Sequence, residues 1–70
     1  MTREQMIKIA RDNVEQHLGD AVAELGGEPS ADDIFEEVYT LAFDALADKS
    51  IAFDVASSVA QEIAQSYIQS

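Results

Sequence analysis

Seventy residues carry fourteen carboxylates against four Lys or Arg and one His, with no cysteine, for a formal net charge of −10. The lack of thiols excludes a disulfide framework, a thiolate metal site and a cysteine nucleophile, and the charge disfavours direct binding to nucleic acid or to an anionic membrane surface. With 47% hydrophobic residues the chain is too apolar for the disordered class, and its length suits a single domain, 1–70, with a thin stability margin.

Thr2 followed by Gln5 fits a capping box, and apolar residues recur at Met6, Ala10, Val14, Leu18, Ala21, Val22 and Leu25. That spacing predicts a first helix over 3–25. Gly19-Asp20 lies inside it, where Gly weakens a helix and Asp can cap a new one, so a kink or break giving four elements is the alternative. The apolar stripe crosses this dipeptide without a phase jump, which favours one continuous helix. Gly26-Gly27 then supplies residues able to take positive φ, and Pro29 bars resumption.

Ser30, with Asp33 three positions on, is the predicted cap of a second helix over 31–48. Its buried face comprises Ile34, Phe35, Val38, Leu41, Ala42, Ala45 and Leu46. Ser50 is the predicted cap of a third helix over 51–68, in which Ala52, Val55, Ala56, Val59, Ala60, Ile63 and Tyr67 share one side. Three helices with short joints predict an all-α fold, a small antiparallel three-helix bundle. The N-terminus has no apolar leader core, and no stretch approaches the ~20 apolar residues of a membrane span, so the chain reads as soluble and cytoplasmic.

Between Asp12 and Asp48 lie eleven carboxylates and not one Lys or Arg. On a continuous second helix, Asp33, Glu37, Asp44 and Asp48 fall in one narrow arc opposite the apolar face. The stripe would be roughly 22 Å long at 1.5 Å per residue. Its i,i+4 neighbours would stand ~6 Å apart, close to the spacing of phosphates along a nucleic acid strand. Asp32 and Glu36 adjoin it. Ordinary solvated faces mix both signs of charge, whereas this one accepts like-charge repulsion at Asp33/Glu37 and Asp44/Asp48. Phe43 lies off the main apolar arc beside Tyr39 and Glu36, in the manner of an aromatic anchor between acids; the competing reading is that the middle helix needs a wide apolar face.

The bases of the first helix are placed to be neutralised along it, through Glu4–Lys8, Lys8–Asp12 and Arg11–Glu15, which leaves no basic arm for nucleic acid. Leu46 to Ile63 faintly resembles a helix-turn-helix but lacks the turn glycine and any base beyond Lys49, and that reading is rejected. Ala52, Ala56, Ala60 and Ala64 form a small-residue ridge. It packs the third helix inside a monomer or, alternatively, forms a homodimer seam whose edge would include Ile51 and Ile68. His17 with Asp20 and Glu24 is the nearest approach to a metal set, but one His among scattered acids assigns no metal, and residues 28–33 lack a calcium-loop pattern. No catalytic constellation or phosphate loop is present, so the chain reads as a non-enzyme without cofactor.

These features predict a small acidic interaction protein that binds a basic site on a partner protein and inhibits or regulates it. The partner-binding residues would be Asp32, Asp33, Glu36, Glu37, Phe43, Asp44 and Asp48. By charge and size the chain resembles the small acidic inhibitors that phages and mobile elements direct at nucleic-acid-handling host defences, including some anti-restriction and anti-CRISPR proteins. That resemblance implies a nucleic-acid mimic with a basic partner that handles nucleic acid. The alternative is a homodimerisation or assembly module built on the Ala ridge, whose charge serves only solubility.

Overall fold

Helix formation begins where the capping pattern places it. In the computed structural model, which describes the backbone of residues 2–69 and side chains through Ser66, α1 spans Arg3–Leu25. The Thr2 hydroxyl accepts from the Gln5 N–H at 3.2 Å while Gln5 Oε1 accepts from the Thr2 N–H at 2.9 Å, so two otherwise free amide donors are satisfied. The helix is continuous through Gly19, whose missing Cβ would meet nothing within 4 Å. Packing of Leu18 and Val22 on either side of the glycine carries the helix across it. Gly26 and Gly27 then take φ of 71° and 61° and end α1, a backbone region open to glycine at little steric cost.

The second capping box is reciprocal in the same way. Ser30 Oγ accepts from the Asp33 N–H and Asp33 Oδ2 accepts from the Ser30 N–H, both at 3.2 Å. From it α2 runs Ala31–Ala45, stopping short of the predicted residue 48. Leu46 is extended (φ −97°, ψ 127°) yet still buries its side chain. The reason for the early stop lies two residues further on. Asp48 Oδ1 accepts from the Ser50 N–H at 3.1 Å and from the Ser50 hydroxyl at 2.6 Å, and the Ala52 N–H donates to the Asp48 carbonyl at 3.2 Å. Asp48 therefore caps the third helix in place of Ser50, and α3 runs Lys49–Gln69. A carboxylate at this position satisfies free N–H groups and also faces the positive end of the helix dipole.

The same contacts hold the Asp48 carboxyl below its ordinary value of 3.8, the Ser50 hydroxyl contributing most and the Ser50 N–H next. A depressed carboxyl stabilises the fold above its unfolded value and loses that contribution as pH falls through the folded one. Asp48→Ala is therefore expected to lower the melting temperature at pH 7. The gap from the parent chain should narrow below pH 3.8, which melts by circular dichroism across that range will show.

The three helices form an up-down-up bundle whose longest dimension, 38 Å, is close to the ~34 Å length of a 23-residue helix at 1.5 Å per residue. Met6, Ala10, Val14 and Leu18 of α1, Ile34, Val38 and Ala42 of α2, and Val55, Val59 and the alanine ridge of α3 form one buried core. The most extensive contact is between α2 and α3. Small side chains on one helix let the opposing ridge approach closely, as the alanines of α3 do. Ala52, Ala56, Ala60 and Ala64 are thus spent inside the monomer, and a homodimer seam through them would require opening the bundle. The side chains of Tyr67 and Ile68, assigned above to the buried side and to a dimer edge, lie outside the described residues.

Polar ties fix how the helices slide. Asn13 Nδ2 donates to the Leu41 carbonyl at 2.8 Å, joining α1 to α2. Arg3 pairs with Asp54 and Arg11 with Glu62. Both pairs join residues eight apart on α1 to residues eight apart on α3, as two parallel helices in one register require. Among the described residues no helix is long and apolar enough to cross a membrane.

Candidate partner-binding face

The periodicity that buries Ile34, Val38 and Ala42 turns Asp32, Asp33, Glu36 and Asp44 outward, all exposed, with Glu37 half-buried at the margin. No Lys or Arg occurs on α2. The predicted stripe is shorter than a continuous helix to residue 48 would make it, because Asp48 belongs to the cap of α3 and not to α2. From Asp33 to Asp44 it covers about 16 Å of helix. Asp33 is also occupied, its carboxylate closing the cap at Ser30.

The cations are elsewhere and engaged. Lys8 reaches Asp12 at 3.5 Å, the one predicted pair along α1 that forms. Arg11 bonds Glu62 rather than Glu15, because it sits half-buried on the α1–α3 side and its guanidinium is directed across the bundle. Lys49 donates to the Phe43 carbonyl at 2.8 Å and lies 4.5 Å from the centre of the Phe43 ring. Among the described residues, Asp12, Asp54 and Glu62 are the only carboxylates in ion pairs. The acids of α2 have no ion-pair partner among the described residues; Asp32 and Asp33 lie in the first turn, where the helix dipole favours a carboxylate, whereas Glu36, Glu37 and Asp44 have no such support.

Phe43 is not the exposed anchor that its sequence position suggested. It is half-buried, its ring stacked on Tyr39 with centroids 5.9 Å apart, and Lys49 lies over it. Among the described residues the exposed aromatic is Phe53, 67% accessible, which was not singled out from sequence. Its helical neighbours three before and four after are Ser50 and Ser57, side chains too small to cover a ring, and that was the available signal. Phe35 and Tyr39 stack at 6.4 Å, and Phe53 meets Tyr39 edge-on at 6.0 Å. Four rings thus form one patch where α2 and α3 adjoin, bordered on α2 by Asp32 and Glu36.

At the opposite edge of α2, Ile9 and Ile51, each about 40% exposed, border a shallow groove of about 250 Å³ with Met6, Leu46 and Ala47. Among the described residues no group of three His, Cys, Asp or Glu side chains is gathered to hold a metal ion, and His17 is exposed. In comparisons with known proteins, the chain matches no family model, no curated protein and no solved structure.

Proposed function

We propose that this chain is a protein-binding module that presents the carboxylate face of α2 to a cationic site on another protein and thereby occupies or regulates that site. The observation that carries the reading is the asymmetry of charge: every Lys and Arg is engaged within the chain, while the exposed acids of α2 have no ion-pair partner among the described residues. Like-signed charges held on one rigid face cost stability and raise the rate at which an oppositely charged surface is captured. Proteins that handle nucleic acid carry such cationic sites, and the spacing of the α2 carboxylates suits them.

Affinity capture at about 50 mM NaCl, with mass spectrometry of the retained protein, tests the reading. The expected partner has a basic surface, is released by about 0.5 M NaCl, and is displaced by duplex DNA competing for the same site. Retention of a partner that ignores salt would overturn it.

A further inference from the structure

The aromatic patch and the acids beside it define a more specific partner than charge alone. We infer that the α2–α3 face formed by Phe35, Tyr39 and Phe53 is a docking surface for an arginine-bearing amphipathic helix of another protein, with Asp32 and Glu36 receiving its guanidinium groups. This rests on the acidic reading above and adds to it an apolar contact.

Phe53 leaves two thirds of its surface in water although it touches Tyr39, so its face is free for a second contact. Asp32 precedes Phe35 by three residues and Glu36 precedes Tyr39 by three, a spacing that sets each carboxylate beside a ring on the helix surface. A cation that engages an aromatic face and a carboxylate together is best supplied by arginine, whose planar guanidinium stacks on rings and forks to two oxygens. Phe43 already holds a cation from within the chain, Lys49 at 4.5 Å, which shows the chemistry at the neighbouring position of the same row. Beyond Phe35, a depression of about 200 Å³ is lined by Ala31, Asp32, Phe35, Gln61, Ala64 and Gln65. It has room for an aliphatic side chain one or two turns along the docked helix. A second copy of this chain is a poor occupant, since each copy carries −10 and would bring Asp32 and Glu36 against an equally acidic surface.

Three probes separate the possibilities: a synthetic helix of Leu and Arg with its leucines on one face, the same composition scrambled, and oligoarginine of equal charge. Tyrosine fluorescence and amide chemical shifts report binding. The amphipathic peptide should bind most tightly, shift the amides around Phe35, Tyr39 and Phe53, and lose about tenfold or more in affinity with Phe53→Ala. Glu36→Gln should weaken it further at low salt, with the folded spectrum retained by both variants. Equal binding of oligoarginine, or affinity unchanged by Phe53→Ala, overturns the aromatic contact and leaves the acidic reading standing. Dependence on Phe53 without any dependence on Glu36 or on salt overturns the charge contribution instead. Shifts confined to Ile9 and Ile51 place the contact in the other groove, and a free chain that is dimeric until Phe53 is replaced makes the occupant a second copy. Either result overturns the inference.

Discussion

Ala56→Glu is expected to abolish cooperative folding, with loss of the helical circular dichroism signal at 25 °C. Ala56 is fully buried in the alanine ridge where α3 meets its neighbours, with Ala52 and Ala60 fully buried beside it. A glutamate there adds volume where helices are spaced by methyl groups and carries a polar head into an interior whose buried residues, among those described, are all apolar. Overpacking alone costs roughly 1–3 kcal/mol, and burying an unpaired carboxyl costs several more. A core of this size rarely supplies more than about 3–5 kcal/mol, so nothing remains to offset the change. Ala23→Glu, at an exposed position in the last turn of α1, is the matched control; it should cost no more than about 1 kcal/mol through the helix dipole and still fold cooperatively. The same experiment decides the other use of the ridge. If Ala56→Glu left a folded chain of halved mass, the alanines would join two copies.

The elements visible from sequence were those fixed by local chemistry. Both capping boxes, at Thr2/Gln5 and Ser30/Asp33, form with the predicted partners, and the glycine pair ends α1. The joint between α2 and α3 was not visible, and the cause is physical. Leu46 stays in phase with the apolar stripe of α2, so periodicity cannot separate one more helical turn from an extended residue whose side chain points the same way. Asp48 and Ser50 are both competent caps. The choice between them depends on where the chain must turn for α3 to pack, which is a tertiary constraint.

The site was partly visible for a related reason. Spacing along one helix placed Asp33, Glu37, Asp44 and Asp48 in one stripe with Asp32 and Glu36 beside it; the structure leaves Asp32, Asp33, Glu36 and Asp44 exposed, half-buries Glu37 and gives Asp48 to the cap of α3. Spacing also offered Arg11 a partner at Glu15, because i,i+4 arithmetic sees only its own helix. The partner it takes, Glu62, lies 51 residues away and becomes a neighbour only when α1 and α3 run parallel. Phe43, read from sequence as a ring between acids, is covered, while Phe53, which the sequence reading did not single out, is exposed. Exposure of a ring depends on what the adjoining helix lays over it, and Lys49 covers Phe43 where serines leave Phe53 open.

Glu36→Lys with Asp44→Lys should strengthen the fold and weaken partner binding at once, and the joint result is more diagnostic than either half. Asp33 and Glu37 are poorer choices for reversal, because the first closes a helix cap and the second is half-buried, so loss of binding there would be confounded with loss of structure. Glu36 and Asp44 are exposed and belong to no ion pair among the described residues. Asp44 lies in the last turn of α2, which has no basic residue, and a carboxylate there opposes the helix dipole. A lysine would reverse that effect, worth roughly 0.3–1 kcal/mol. Glu36→Lys replaces repulsion from Asp32 and Asp33, one turn away, by attraction of a few tenths of a kcal/mol each. Two reversals move the net charge from −10 to −6. A gain near 1 kcal/mol raises the melting temperature of a domain this size by about 4–8 °C. Added NaCl should raise the melting temperature of the parent more than that of the variant, since salt screens the repulsion the variant has already lost. Affinity for the cationic partner should fall by about a hundredfold at low salt, as attraction becomes repulsion at two positions. Residues retained at a cost to stability are the ones a binding function explains. If the variant is stabilised and still binds as tightly as the parent, the carboxylates of α2 serve solubility alone and the partner reads another surface.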